Sequence, residues 1–217
     1  MVRSILVFGV LAAALSLCGL TEKLKSLTGG TNTSTSNTST AKNPGSNSAT
    51  SSISSEKAAL TPDQQAIVDA GTETKWDDQG LSWKLPAGWK KMDVQKQSFN
   101  YQSPDLAFLL VNITPDLGDS FPMETSLKAY YDQAMLQLKN GKYESVKLVE
   151  IDGIPGVEFT EAPPSGKDDP RRHQWIAYRR YLGQTQQINV MCSTKGSNFD
   201  KHKDDFQAVL YSIKAVK

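Results

Sequence analysis

Apolar positions are spread unevenly along the chain, and their spacing divides it into three stretches. Residues 5–17 form an uncharged greasy run, residues 28–55 hold Ile53 as their single large apolar side chain, and from residue 60 onward apolar positions recur with helical or strand periods. The periodic part opens at Thr61-Pro62-Asp63-Gln64. A hydroxyl cap, a proline at the first helical position and a Gln three residues after the cap predict a helix of about two turns, closed by Gly71. Residues 72–76 and 81–85 then flank Asp77-Asp78-Gln79-Gly80, whose Asp and Gly content predicts a hairpin turn. Further strands are expected over 98–102, 106–113, 143–151, 157–161, 174–182 and 185–192.

Two longer helices interrupt the strands. Over 124–140, Leu127, Tyr131, Ala134 and Leu138 recur at helical spacing with Tyr130 and Met135 beside them, and Gly141 follows as a stop. Over 198–214 the stripe is Phe199, Phe206, Val209, Leu210 and Ile213, behind the cap candidates Ser197 and Asn198. Neither helix buries its stripe alone, so both must lie on something flat. The short connections Asp152-Gly153-Ile154-Pro155-Gly156 and Leu182-Gly183-Gln184-Thr185 imply mostly antiparallel neighbours. The expected fold class is therefore α+β, an antiparallel β-sheet sandwiched by α-helices over residues 61–217.

The Thr/Ser/Asn-rich stretch ahead of that domain has too little apolar area to offset the entropy of ordering, so residues 19–60 are expected to be a disordered linker. A coil of ~40 residues spans about 35 Å. Basic and acidic residues number 24 and 23, a net charge of +1, so no long-range field argues for nucleic acid or an anionic surface as partner. At the start, Arg3 precedes the 5–17 run and Cys18 ends it, a segment too brief to span a bilayer comfortably. It resembles the bacterial lipoprotein signal, with Leu15-Ser16-Leu17-Cys18 in the lipobox position and Leu17 where that family has a small residue. The resemblance implies a signal peptide over 1–18, lipid attachment at Cys18, and a domain anchored to a membrane of the bacterial cell envelope, in the periplasm or at the surface. Gly19 in place of an aspartate favours the outer membrane. Cleavage near Ala12-Ala13-Ala14, or an uncleaved anchor, are the alternatives. A lipidated Cys18 leaves Cys192 without an internal disulfide partner.

Four short segments, in order, resemble the superfamily that contains the photosystem II extrinsic protein PsbP, the Ran-binding Mog proteins and the bacterial lipoprotein DcrB. They are Leu85-Pro86-Ala87-Gly88-Trp89 after an early strand, Thr125-Ser126-Leu127 opening a helix, Ile151-Asp152-Gly153-Ile154-Pro155-Gly156-Val157-Glu158-Phe159 around a turn, and Ala208-Val209-Leu210-Tyr211-Ser212-Ile213 closing the last helix. The resemblance implies a sheet sandwiched by helices and docking or accessory roles more often than catalysis; it carries no catalytic residues with it.

Candidate chemistry is sparse. Gly118-Asp119-Ser120-Phe121 resembles the nucleophile block of the GDSL esterases, but the closing Asp, two residues and His of that family is missing, and only His173 and His202 exist. A metal would have to use Asp168, Asp169 and His173, or Asp200, His202 and Asp205; His202, three residues from Phe199, instead borders the apolar stripe. There is no Cys pair, His-Glu-x-x-His or glycine-rich phosphate loop, so neither metal nor cofactor is expected. Cys192 shares a strand face with Ile188 and Val190 and should be a buried small hydrophobe.

The most unusual segment is 171–181, where alternation sends Arg171, His173, Trp175, Arg179 and Tyr181 to one side at roughly 7 Å intervals and Ile176, Tyr178 and Leu182 to the other. Rings mixed with cations make that side the candidate binding face for a carboxylate, phosphate or sugar. The alternative is cross-strand pairing with Glu158 or Glu161. Taken together, the chain reads as a lipid-anchored envelope protein that binds or helps assemble an envelope protein, glycan or small ligand without catalysis. A carrier of a small apolar or anionic ligand, and a serine esterase using Ser120, are the alternatives.

Overall fold

The computed structural model describes residues 54–95 and 97–216; the leader, Cys18 and the expected linker up to residue 53 lie outside the described residues. In chain order the elements are β1 (Glu56–Lys57), α1 (Pro62–Ala70), β2 (Thr72–Trp76), β3 (Leu81–Leu85), β4 (Lys90–Gln95), β5 (Ser98–Gln102), β6 (Phe108–Thr114), α2 (Met123–Lys139), β7 (Tyr143–Ile151), β8 (Ile154–Glu161), β9 (Pro170–Tyr181), β10 (Gln184–Lys195), α3 (Phe199–Tyr211) and β11 (Lys214–Ala215). The fold class is α+β. An eight-stranded sheet runs β1-β7-β8-β9-β10-β6-β5-β4, and a three-stranded sheet runs β11-β3-β2.

The large sheet is antiparallel except at one edge, where β1 pairs parallel with β7 through Glu56↔Val149 and Lys57↔Glu150. This short strand falls inside the expected linker, so the ordered body begins earlier than Thr61. Two residues with no alternation of their own are strand only because β7 offers an edge, and the Ala58 N–H continues the ladder to the Glu150 carbonyl at 2.9 Å. The hairpin turns β7–β8 and β9–β10 use Asp152-Gly153 (φ 50° and 85°) and Leu182-Gly183 (φ 49° and 78°). Positive φ at both central residues matches the twist that two-residue hairpins need. Leu182, expected within a strand, is thus a turn residue and exposed.

Each face of the large sheet is covered differently. On one side α3 lies over β9 and β10, and the small sheet adds Trp76, Leu81, Trp83 and Leu85 against Phe99 and Tyr101 of β5. Trp83 meets Phe99 and Tyr101 edge-on at 5.7 and 6.4 Å, the geometry that aromatic quadrupoles favour. On the other side α2 covers β7 to β9, burying Leu127, Ala134 and Val157 beneath a rim of tyrosines. Because β9 is central and covered on both sides, the middle of each of its faces is interior, with Arg172 and Arg180 left exposed toward its ends on the α2 side, which decides the fate of its unusual sequence. α1 rests on α3, joined by Gln64 Nε2 donating to Asp204 at 3.0 Å. Its N-terminus closes as expected: Thr61 and Gln64 form a reciprocal capping box. At α3 neither Ser197 nor Asn198 caps with its side chain; the Asn198 amide turns instead to the Asp105 carbonyl and the Thr194 hydroxyl, each at 3.4 Å.

Candidate functional site

The alternation expected in β9 is present, but the face carrying Arg171, His173, Trp175 and Arg179 points into the α3-side core, with exposures of 5%, 6%, 0% and 6%. It is an interior seam rather than an open binding face. Trp175 sits at its centre, donating from Nε1 to the Val149 carbonyl at 3.3 Å. Room for the indole comes from Gly156 on the adjacent strand, where a Cβ would lie 2.2 Å from Trp175 Nε1. Arg171 donates from Nε to the Glu161 carbonyl at 2.8 Å, pairs with Glu144, and lies 4.1 Å over the Phe199 ring, tying β9 to β7, β8 and the start of α3. Arg179 donates to the Gln79 carbonyl and to Gln186 Oε1, and stacks 4.4 Å over the half-buried Tyr181. It fastens the β2–β3 turn to the large sheet, and burial pushes its guanidinium pKa down to about 10.

His173 completes the seam. Its Nδ1 lies 2.9 Å from the Thr160 hydroxyl, and its Nε2 is 3.4 Å from Glu158, close enough for ion pairing but too poorly aligned to hydrogen-bond. Glu158 is itself buried and accepts from Gln207 at 3.1 Å and from the Tyr211 hydroxyl at 2.8 Å. Burial drives the His173 pKa down, against the upward pull of Glu158. Of the two carboxylates named as cross-strand partners, Glu158 faces His173 and Glu161 pairs with Arg172 at 3.4 Å. The seam's cations thus join elements of this same domain, while Arg179 Nη1 and His173 Nε2 lie buried without a hydrogen bond.

The remaining sequence candidates are scattered. Ser120 is exposed in the turn before α2, next to Phe121 against Tyr178 on the α2 side of the sheet, whereas His173 and His202 are buried on the α3 side. No imidazole from this chain faces that hydroxyl. Asp168 pairs with Lys195 at 3.1 Å and Asp169 accepts from the Gly166 N–H at 3.2 Å, both away from the buried His173. Asp200 lies 3.7 Å from Arg171 while His202 turns to other partners. Among the described residues, no three or more His, Cys, Asp or Glu side chains gather as they would around a metal. Cys192 is buried, and burial raises its thiol pKa well above the ordinary value, which keeps it a neutral packing residue.

An open site lies elsewhere. A groove of about 600 Å³ runs between α1, α3, the 86–89 loop and the 103–105 turn. Ala66 and Ala70, one helical turn apart with Ile67 beside them, form one wall; Pro86, Ala87 and Trp89 form the second. Small side chains on α1 leave the space open, and Gly88, at φ 83°, brings the loop against Pro104. The 103–105 turn is closed by Ser103, whose hydroxyl accepts from the Ala107 N–H and donates to Asp105 Oδ1, both at 2.8 Å. Trp89 stands perpendicular to both His202 and Phe206 at 6.5 Å, and the His202 ring stacks on Phe206 at 5.8 Å.

A polar lip edges this apolar groove. His202, 4% exposed, lies between two carboxylates: Nδ1 is 2.9 Å from Asp205 Oδ2, and Nε2 is 3.0 Å from Asp105 Oδ1 at an angle too poor for a hydrogen bond. Lys201 pairs with the other Asp105 oxygen. Its ammonium, followed by the Ser103 hydroxyl, holds the Asp105 carboxyl far below the usual carboxylate range. Concave apolar walls with a few convergent polar groups are the ordinary make-up of a ligand site, and the volume is in the range that takes a small organic molecule. Sequence reasoning named His202 and Asp205, but as weak metal ligands, and named the 86–89 segment only as a family signature. Asp105 carries no signal of its own, since it lies almost a hundred residues from its partners.

No protein family matches the chain by sequence. No curated protein matches it either. Several solved structures are similar. Cyanobacterial PsbP (CyanoP) from Synechocystis is 16% identical with a TM-score of 0.45, over 68% of this chain and 94% of that one. LpqN, involved in cell envelope biogenesis of Mycobacterium tuberculosis, is 12% identical with a TM-score of 0.47, over 68% and 86%. A Bacteroides thetaiotaomicron protein is 14% identical with a TM-score of 0.43, over 68% of this chain and 49% of that one, so this chain spans about half its length. At such identities and scores no activity or partner passes from them to this chain.

Proposed function

We propose that this protein is a non-catalytic binding module of the bacterial cell envelope, held to a membrane by lipid on Cys18, that takes a small ligand in the groove between α1 and α3. The groove itself is the observation that carries the reading: apolar walls and a polar lip stand open to solvent, whereas the cations of the β9 seam are engaged within the fold. The leader, Cys18 and the Ser/Thr/Asn stretch support the placement, since they read as an export signal, an anchor point and a leash ahead of a folded head. Among the described residues no helix is long and apolar enough to cross a membrane, so attachment in this reading rests on the leader.

The test is ligand-linked stabilisation. A ligand that binds only the folded state raises the unfolding midpoint in proportion to its occupancy. A small-molecule extract of the protein's own host is expected to raise the midpoint of the wild-type chain and to leave Ala66→Trp, in which an indole fills the groove, unmoved. Equal shifts in both chains would place any binding elsewhere. For the anchor, Cys18→Ser is expected to move the protein out of the membrane fraction and abolish incorporation of labelled fatty acid; unchanged fractionation would remove the anchor from the account.

A further inference from the structure

We infer that the groove's ligand is an amphipathic amine: an apolar body lying against Ala66, Ala70 and Trp89, with a cationic head on the carboxylate of Asp205. This rests on the reading of the groove as a binding site and concerns the chemistry of its occupant. The polar lip decides the sign of the head group. His202 is flanked by two carboxylates, and an imidazole with a single N–H serves only one of them; even a doubly protonated ring faces Asp105 at an angle that makes no hydrogen bond.

Asp105 is further committed to Ser103 and Lys201. Among the described residues Asp205 is engaged through Oδ2, by His202, and its side chain is a quarter exposed at the groove's edge, so a carboxylate with unused acceptor capacity lies there. An anionic head would have to draw Lys201 away from Asp105 and settle beside a second carboxylate, an arrangement that like-charge repulsion opposes. An ammonium needs neither rearrangement, and the repulsion from Lys201 is offset by the Asp105 carboxylate that already pairs with it. The ligand's ammonium meets Asp205 directly and has the half-buried Trp89 ring as a second favourable neighbour. The occupant favoured here is therefore cationic, whereas the carrier that the sequence offers as an alternative reading would take an apolar or anionic ligand.

The probes are n-hexylamine, hexanoate and hexanol, which share one chain length and differ in head group. Each is titrated into the isotope-labelled full-length chain while the backbone amides of Ala66 and Ala70 and the Trp89 indole are followed by NMR. Hexylamine is expected to give saturable shifts at these positions, binding about tenfold more tightly than hexanoate, a difference of about 1.4 kcal/mol. Asp205→Asn is expected to remove most of that preference while binding of hexanol stays unchanged, and Ala66→Trp to silence all three probes. Hexanoate or hexanol binding as tightly as hexylamine would overturn the cationic head and leave the groove standing as a site. Absence of shifts with every probe would overturn the groove reading as well.

Discussion

The β9 seam and the α1–α3 groove are built from the same materials, rings beside charges, yet they differ in what those charges do. In the seam, Arg171 and Arg179 reach backbone carbonyls on other elements and stack on Phe199 and Tyr181 of the same domain. In the groove, a buried imidazole sits between two carboxylates, and Asp205 still has acceptor capacity toward open space. The difference is one of position in the sheet. A central strand covered on both faces keeps its polar atoms inside the fold, so that even His173 Nε2 and Arg179 Nη1, which make no hydrogen bond, are closed off from any ligand, whereas the edge of a helix pair opens to solvent. A binding site is therefore to be sought where polar groups with unused capacity open to solvent, not where they are most conspicuous in the sequence.

That contrast breaks most readily at Trp175. Trp175→Ala is expected to destabilise the domain by about 3–5 kcal/mol in denaturant titrations, the range for deleting a fully buried indole. Next is Gly156→Ala, whose Cβ would lie 2.2 Å from Trp175 Nε1 and 2.8 Å from the Ile176 carbonyl. A loss of about 1–3 kcal/mol is expected, partly recovered by combining it with Trp175→Phe, because the clash and the relief occur at one place.

A smaller effect follows from His173. Burial holds its folded pKa below the ordinary value, with Lys203 and Lys147 acting in the same direction and Glu158 opposing. The unfolded chain therefore takes up a proton that the folded chain does not. The stability due to neutral His173 is present above pH ~6.5 and is lost as pH falls, at up to about 1.4 kcal/mol per pH unit. The fall in unfolding midpoint between pH 7.5 and 5.5 is expected to be shallower in His173→Gln than in wild type; equal slopes would remove His173 as the source. Smallest of all, Ala66→Trp on the exposed side of α1 is expected to change stability by no more than about 0.5 kcal/mol while blocking the groove. A seam substitution that spared stability, or a groove substitution that unfolded the domain, would dissolve the contrast.

Much of the fold was readable because its signals are local. The β2–β3 hairpin, the β7 strand and the capping box at Thr61 came directly from alternation, turn residues and cap chemistry. What was missed depends on distant neighbours. β1 and β11 are two residues long and exist through pairing with β7 and β3, and β4, an edge strand with the sequence Lys90-Lys91-Met92-Asp93-Val94-Gln95, alternates over too few apolar residues, Met92 and Val94, to stand out. The site was misread for a related reason. A period of two shows that Arg171, His173, Trp175 and Arg179 share a face, but not that α3 and the small sheet cover it. The groove, in turn, draws on four separate segments of chain, so its chemistry is visible only after folding.

Occupancy of the groove in the cell can be read by native mass spectrometry of the full chain isolated from its own host. The wild-type protein is expected to carry a small-molecule mass that disappears on denaturation, unlike a covalent lipid, and that is absent from Ala66→Trp. A bare wild-type protein, or the same releasable mass on both chains, would rule out the groove as an occupied site.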